Sequence, residues 1–81
     1  MKIKVLYFAS LKDKLKKKED IIDLKEGSKV EDLLNDIISK YPQIQELIQK
    51  CMIAVNEEYS SKDRVLNEND IVAIIPPVSG G

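Results

Sequence analysis

The sequence predicts an α+β fold: a mixed sheet of four to five strands with one main helix packed on one face. Three observations carry that reading. Val30, Leu33, Leu34, Ile37, Ile38 and Tyr41 recur at the spacing of a single helical face. Short runs rich in β-forming residues at 2–8, 20–24, 51–55 and 71–75 read as strands around that helix. No second long helix follows late in the chain, which sets aside a ferredoxin-like arrangement. The order is β-β-α-β-(β)-β in a single domain, because 81 residues hold one modest core and no deep cavity.

The first run, "KIKVLYF" (Lys2–Phe8), places Ile3, Val5 and Tyr7 on one face. Its other face begins polar with Lys2 and Lys4 and ends in Leu6 and Phe8. "SLKDKLKKK" offers only Leu11 and Leu15 at helical spacing, enough for a turn or a short helix. "DIIDL" (Asp20–Leu24) is a second strand closed by "KEGS", and the modest connection makes an antiparallel pair with the first the simplest arrangement. Ser28 and Glu31 stand in capping-box relation at the start of the main helix. Glu31 and Asp32 suit the positive end of its dipole and Lys40 the negative end, and Pro42 stops it. A shorter helical stretch with Ile44, Leu47 and Ile48 as its stripe follows.

"CMIAV" (Cys51–Val55) is a continuous apolar run expected inside the sheet, with Cys51 read as a buried strand thiol. "NEEYSSKDRVLNEND" is turn-rich, with a short edge strand around Tyr59. "DIVAIIPPV" supplies the last strand, Ile71 to Ile75, and Pro76 and Pro77 end its ladder because they lack an N–H. The expected division is a folded domain at 1–75 and an extended tail at 76–81.

Composition narrows the chemistry. Hydrophobic residues at 43% against charged residues at 33% give the balance of a soluble globular protein rather than a disordered one. No apolar run approaches the ~20 residues that span a bilayer, and the start does not resemble a signal peptide, so a cytoplasmic address is expected. Histidine is absent, which removes the commonest general base and metal ligand, and Cys51 would have no imidazole to activate it. Neither a metal nor a resident cofactor is expected. Lys2, Lys4, Lys12, Lys14, Lys16, Lys17 and Lys18 outweigh Asp13 in the first 18 residues, while the remainder is acidic. With few aromatic residues beside the lysines, a solvated face is expected there rather than a nucleic-acid site.

Two features remain. A sheet with one helical cover leaves a face that should be polar, yet Leu6 and Phe8 in the first strand and Ile71, Ala73 and Ile75 in the last are apolar on that side. Such a patch reads as a surface for another protein. Beside it the chain ends in "PPVSGG". Gly80 and Gly81 are the thinnest possible chain, with an unhindered terminal acyl carbon. From Pro76 to Gly81 the extended reach is about 20 Å, long enough to enter a pocket in another protein. The reactive group there would be the α-carboxylate, a poor electrophile that needs activation, most naturally as an acyl-adenylate.

Taken together, "IKVLYFA" near the start, "AVN" at Ala54–Asn56 and "LNENDIVAIIPPVSGG" at the end resemble the MoaD family, the small sulfur-carrier subunits of molybdopterin synthase. The resemblance covers the whole chain and implies the ubiquitin-like β-grasp fold. It also implies that Gly81 is adenylated by an activating enzyme that consumes ATP and is then converted to a thiocarboxylate with sulfur from a donor protein. Val78, Ser79 and Gly80 would thread the active site of the large subunit, in a heterotetramer of two small and two large subunits, where the sulfur passes to a cyclic pyranopterin monophosphate. Phe8, Tyr59 and Ile75 match the family's exposed docking cluster; Tyr59 and Ile75 differ in residue type from its common side chains but keep the apolar character. Ser79 stands where threonine is also expected. On this reading the chain is not an enzyme by itself, and it engages neither nucleic acid nor membrane. The rivals are another ubiquitin-like sulfur carrier, serving thiazole synthesis or tRNA thiolation, a ubiquitin-like modifier forming isopeptides with lysines, and a plain interaction module.

Overall fold

The computed structural model describes residues 1–77. Its elements run β1 (Lys2–Tyr7), α1 (Ala9–Leu15), β2 (Glu19–Asp23), α2 (Val30–Lys40), a 3-10 turn (Pro42–Ile44), α3 (Gln45–Ile48), β3 (Met52–Val55), β4 (Glu58–Tyr59) and β5 (Ile71–Ile75). All five strands join one sheet in the order β2-β1-β5-β3-β4. β1 and β5 pair in parallel at its centre, and the remaining pairs are antiparallel. The first and last strands of the chain are thus neighbours, the mixed β-grasp arrangement that the resemblance implies.

The core lies between one sheet face and the helices. Ile3, Val5 and Tyr7 of β1, Ile22 of β2, Ile53 and Val55 of β3, and Val72 and Ile74 of β5 are buried there. Val30, Leu33, Leu34 and Ile37 bring the stripe of α2 onto them, with Ile38 and Tyr41 at its half-buried margin. Leu11, Ile44, Ile48 and Leu66 close the periphery. The period-two and helical patterns read from the sequence are therefore the patterns that are buried.

Local differences have identifiable causes. α2 begins at Val30, and the cap is formed by Asp32, whose Oδ2 accepts the Lys29 N–H at 2.8 Å, not by the Ser28–Glu31 pair expected from the sequence. Ser28 is held elsewhere: its carbonyl accepts the Leu66 N–H at 2.8 Å, and Lys29 bridges to Val65. The N–H groups of Val30 and Glu31 donate to the carbonyls of Arg64 and Lys62 at 2.9 and 3.0 Å. Tertiary pairing with this loop therefore meets backbone needs that a local Ser cap would otherwise serve. β1 ends at Tyr7 rather than Phe8, because Ala9 turns into the left-handed region at φ 49° and starts α1. Cys51 stands half-buried just before β3, not within a strand, and its Sγ–H donates to the Leu47 carbonyl at 3.3 Å.

One polar cluster sits on the helix-covered side. The hydroxyls of Tyr7 and Tyr41 donate to Asp20 Oδ2 at 2.9 and 3.0 Å, and Lys17 Nζ donates to Asp20 Oδ1 at 3.1 Å and to the Tyr41 hydroxyl at 2.8 Å. It ties β1, β2 and the end of α2 together. Burial works against ionisation of Asp20, but the hydrogen bonds from Tyr7, Lys17 and Tyr41 outweigh it and hold the carboxyl below its usual range. Burial, and then the bond to Asp20, pushes the Tyr7 phenol well above its usual value.

Candidate functional site

The open face of the sheet is set by strand register. Leu6 pairs with Ala73, Ala73 with Ala54, and Ala54 with Tyr59, so these four form one row across four strands. Ile75 pairs with Met52 in the next row, and Ile71 with Lys4 in the row on the other side. Phe8 keeps an extended backbone and continues the alternation of β1 past its last paired residue. The large apolar side chains here are open to solvent: Phe8 is 43% exposed, Ile71 42%, Met52 53% and Tyr59 70%.

The centre of this face is hollow because its middle residues are small. Ala73 and Ala54 lie between Leu6 and Tyr59 in the central row, and a concavity of about 460 Å³ opens beside them. Its lining is Leu6, Phe8, Asn56, Glu57, Ile71 and Ala73. Asn56 and Glu57 form the two-residue loop between β3 and β4, both at positive φ (50° and 70°), as a type I′ turn requires. Asn56 fastens that loop to β5: its Nδ2 donates to Asp70 Oδ1 at 2.9 Å, and its Oδ1 accepts the Ile71 N–H at 3.0 Å. Asp70 Oδ2 accepts the Asn67 N–H at 2.7 Å, which completes the brace.

Phe8, Tyr59 and Ile75, the docking residues expected from the sequence, all lie on this one face. Pro76 is buried and Pro77 exposed. Val78, Ser79, Gly80 and Gly81 lie outside the described residues. The sequence reading missed Met52, Ile21, which pairs with Lys4 on this face and is exposed, and the Asn56–Glu57 loop. The continuous apolar run of β3 hides which of its residues point outward, although the alternation of β5 would have assigned them once the pairing was known. The "NE" pair between β3 and β4 was a turn signal whose neighbour across the sheet could not be read.

Side-chain chemistry is sparse around this face. The Cys51 thiol is pushed up to about 11 by burial, which leaves it protonated at neutral pH and poorly nucleophilic. Among the described residues no three Cys, Asp or Glu side chains converge as a metal site needs. No helix among them is long and apolar enough to cross a membrane. The arrangement suits the recognition of another protein by an apolar sheet face, whose central strand β5 continues into Pro76 and Pro77.

The ThiS family profile matches residues 5–81. A molybdopterin synthase sulfur carrier subunit from Chlamydomonas reinhardtii is 41% identical, with both chains covered in full. One from Dictyostelium discoideum is 42% identical over 96% of this chain and 94% of its own. Among solved structures, a candidate molybdopterin converting factor subunit 1 from Pyrococcus furiosus superposes with a TM-score of 0.88 at 34% identity, covering 96% of this chain and 99% of its own. SAMP1 from Haloferax volcanii shares the fold with a TM-score of 0.92 over the full length of both chains, at 20% identity. On these matches, and on the β-grasp sheet beneath them, the chain belongs to the ThiS family and groups there with the molybdopterin synthase sulfur carrier subunits.

Proposed function

We propose that this protein carries sulfur for molybdenum cofactor biosynthesis, with the α-carboxylate of Gly81 as its working group. The observation that carries the reading is the open apolar face, whose central strand β5 leads through Pro76 and Pro77 towards "VSGG". Phe8, Tyr59 and Ile75 dock first the activating enzyme and later the large subunit of the synthase. In the activating enzyme the carboxylate attacks the α-phosphorus of ATP and pyrophosphate leaves. Sulfur at the sulfide level, delivered by a donor protein, then attacks the acyl carbon; AMP leaves and a thiocarboxylate remains. Val78, Ser79 and Gly80 thread the large subunit's active site and present that sulfur to a cyclic pyranopterin monophosphate. The thin glycine pair suits this task because no Cβ hinders attack at the acyl carbon.

The chain thus supplies a consumable group and not catalytic side chains. It works in the cytosol, in a heterotetramer of two small and two large subunits, binds no cofactor of its own and leaves ATP to the activating enzyme. The test is to incubate the protein with its activating enzyme, ATP and a sulfur donor and to measure intact mass. The expected gain equals the difference between sulfur and oxygen and maps to Gly81. Deleting Gly81 withdraws the carbonyl by ~3.5 Å and should abolish charging, since even ~1 Å of misplacement can cost ~100-fold. Full sulfur transfer by the truncated chain would sink the proposal; capture of the chain on partner lysines would favour a modifier instead.

A further inference from the structure

The concavity on the open face carries one charged group, and its sign is informative. Four of its six lining residues, Leu6, Phe8, Ile71 and Ala73, are apolar, and the polar atoms of Asn56 are spent on Asp70 and on the Ile71 backbone. Glu57 remains. The two lysines of β1 on this face are paired on its far side, Lys2 with Asp23 at 2.8 Å and Lys4 with Glu19 at 3.7 Å, while Lys12 and Lys18 line a separate recess beyond Leu6 and Phe8. Among the described residues Glu57 makes no ion pair and no side-chain hydrogen bond. It also occupies a position, φ 70°, that favours glycine or asparagine, so the backbone gains nothing from a glutamate there.

We propose that this pocket receives an arginine of the docked protein partner, with Glu57 as its counter-charge and the Phe8 ring as its apolar wall. The proposal deepens the docking reading above and rests on it. Charge complementarity selects a cation, since an anion or a neutral group would leave Glu57 unpaired as the pocket loses water. Lining chemistry selects arginine over lysine. A guanidinium is planar and weakly hydrated, lies flat on an aromatic ring and takes a carboxylate through two parallel N–H bonds, whereas an ammonium keeps its water. The Asn56 brace to Asp70 and Ile71 holds the turn in place, so the backbone that carries Glu57 is fixed at the rim of the hollow before the partner arrives. Glu57 therefore orients the partner across the sheet, a task that the flat apolar residues cannot perform alone.

The test is a binding titration of the full chain against the large subunit of molybdopterin synthase from the same organism, with each variant's thermal unfolding recorded alongside. Glu57→Gln keeps the size and the backbone demand and should weaken binding about 10-fold, with a shallower salt dependence. Glu57→Arg should weaken it about 100-fold by opposing like charges. Phe8→Asp is the control for the docking face itself. If Phe8→Asp abolishes binding while Glu57→Arg binds as the parent does, the arginine pocket is wrong and the docking face stands. If Phe8→Asp also binds normally, the docking reading falls, and this inference with it. A concentration-dependent homodimer that Glu57→Arg dissociates would assign the pocket to a second copy of this chain and overturn the proposal.

Discussion

Three residues other than asparagine and glycine have a left-handed backbone: Lys16, at φ 58°, caps the end of α1, and Ala9 and Glu57 lie at 49° and 70°. The last two border the open face: Ala9 turns the chain just after Phe8, which follows the end of β1 on that side, and Glu57 lines its hollow. Asn56 and Asn69 share the left-handed region, but asparagine tolerates it, and Gly27 at φ 87° pays no steric penalty. A β-carbon in this region costs about 1–2 kcal/mol, while glycine's extra freedom in the unfolded chain returns part of that. Glu57→Gly should therefore stabilise the fold by roughly 0.5–1 kcal/mol, read from urea unfolding at neutral pH. A loss of stability would show that the carboxylate supports the fold and would remove the strain argument. At this scale the sequence was partly legible. Alternation alone turned Phe8 and Ile75 outward. Glu57 was not visible, because its importance lies in neighbours from β5, fourteen or more residues away in the chain and adjacent only after pairing.

Elements were easier to read than their edges. The strand at 71–75 and the stripe on α2 follow from periodicity, which tertiary packing reinforces. The start of α2 did not follow, because its first N–H groups are met by carbonyls of the 62–66 loop and the local Ser28 signal was overridden. That difference is testable by substitution. Asp32→Ala removes the acceptor for the Lys29 N–H and a carboxylate from the positive end of the helix, and should cost about 1 kcal/mol. Ser28→Ala should cost only a few tenths, since the contacts of Ser28 are made by its backbone. Equal costs in chemical denaturation would restore Ser28 as the cap.

For the whole molecule, the sheet separates two tasks. The Tyr7–Asp20–Tyr41–Lys17 cluster binds β1, β2 and α2 together on the covered side, while the apolar patch proposed for docking lies on the opposite face. No motif announced the cluster, because its members come from four segments that only the fold unites. Its titration gives a pH signature. Asp20 is held below the usual carboxylate range in the folded chain, so its contribution is fully present above its unfolded value of ~3.9 and is lost as pH falls through the folded one. Tyr7 is raised, so its contribution holds below an unfolded value of ~10 and is lost as pH rises through the folded one. Asp20→Asn should cost about 2 kcal/mol at pH 7, the scale of hydrogen bonds to a charged group, and the gap from the parent should close as pH falls from ~4 towards ~2. Other carboxylates titrate in the same range, so the difference between the two proteins is the informative quantity, and urea midpoints measured across that range supply it. A gap that stays constant down to pH ~2 would mean that Asp20 acts through packing and not through its charge. Because the cluster faces the helix, the same variant at pH 7 should bind the synthase large subunit as the parent does; lost affinity in the folded variant would show that the two faces are coupled through β1.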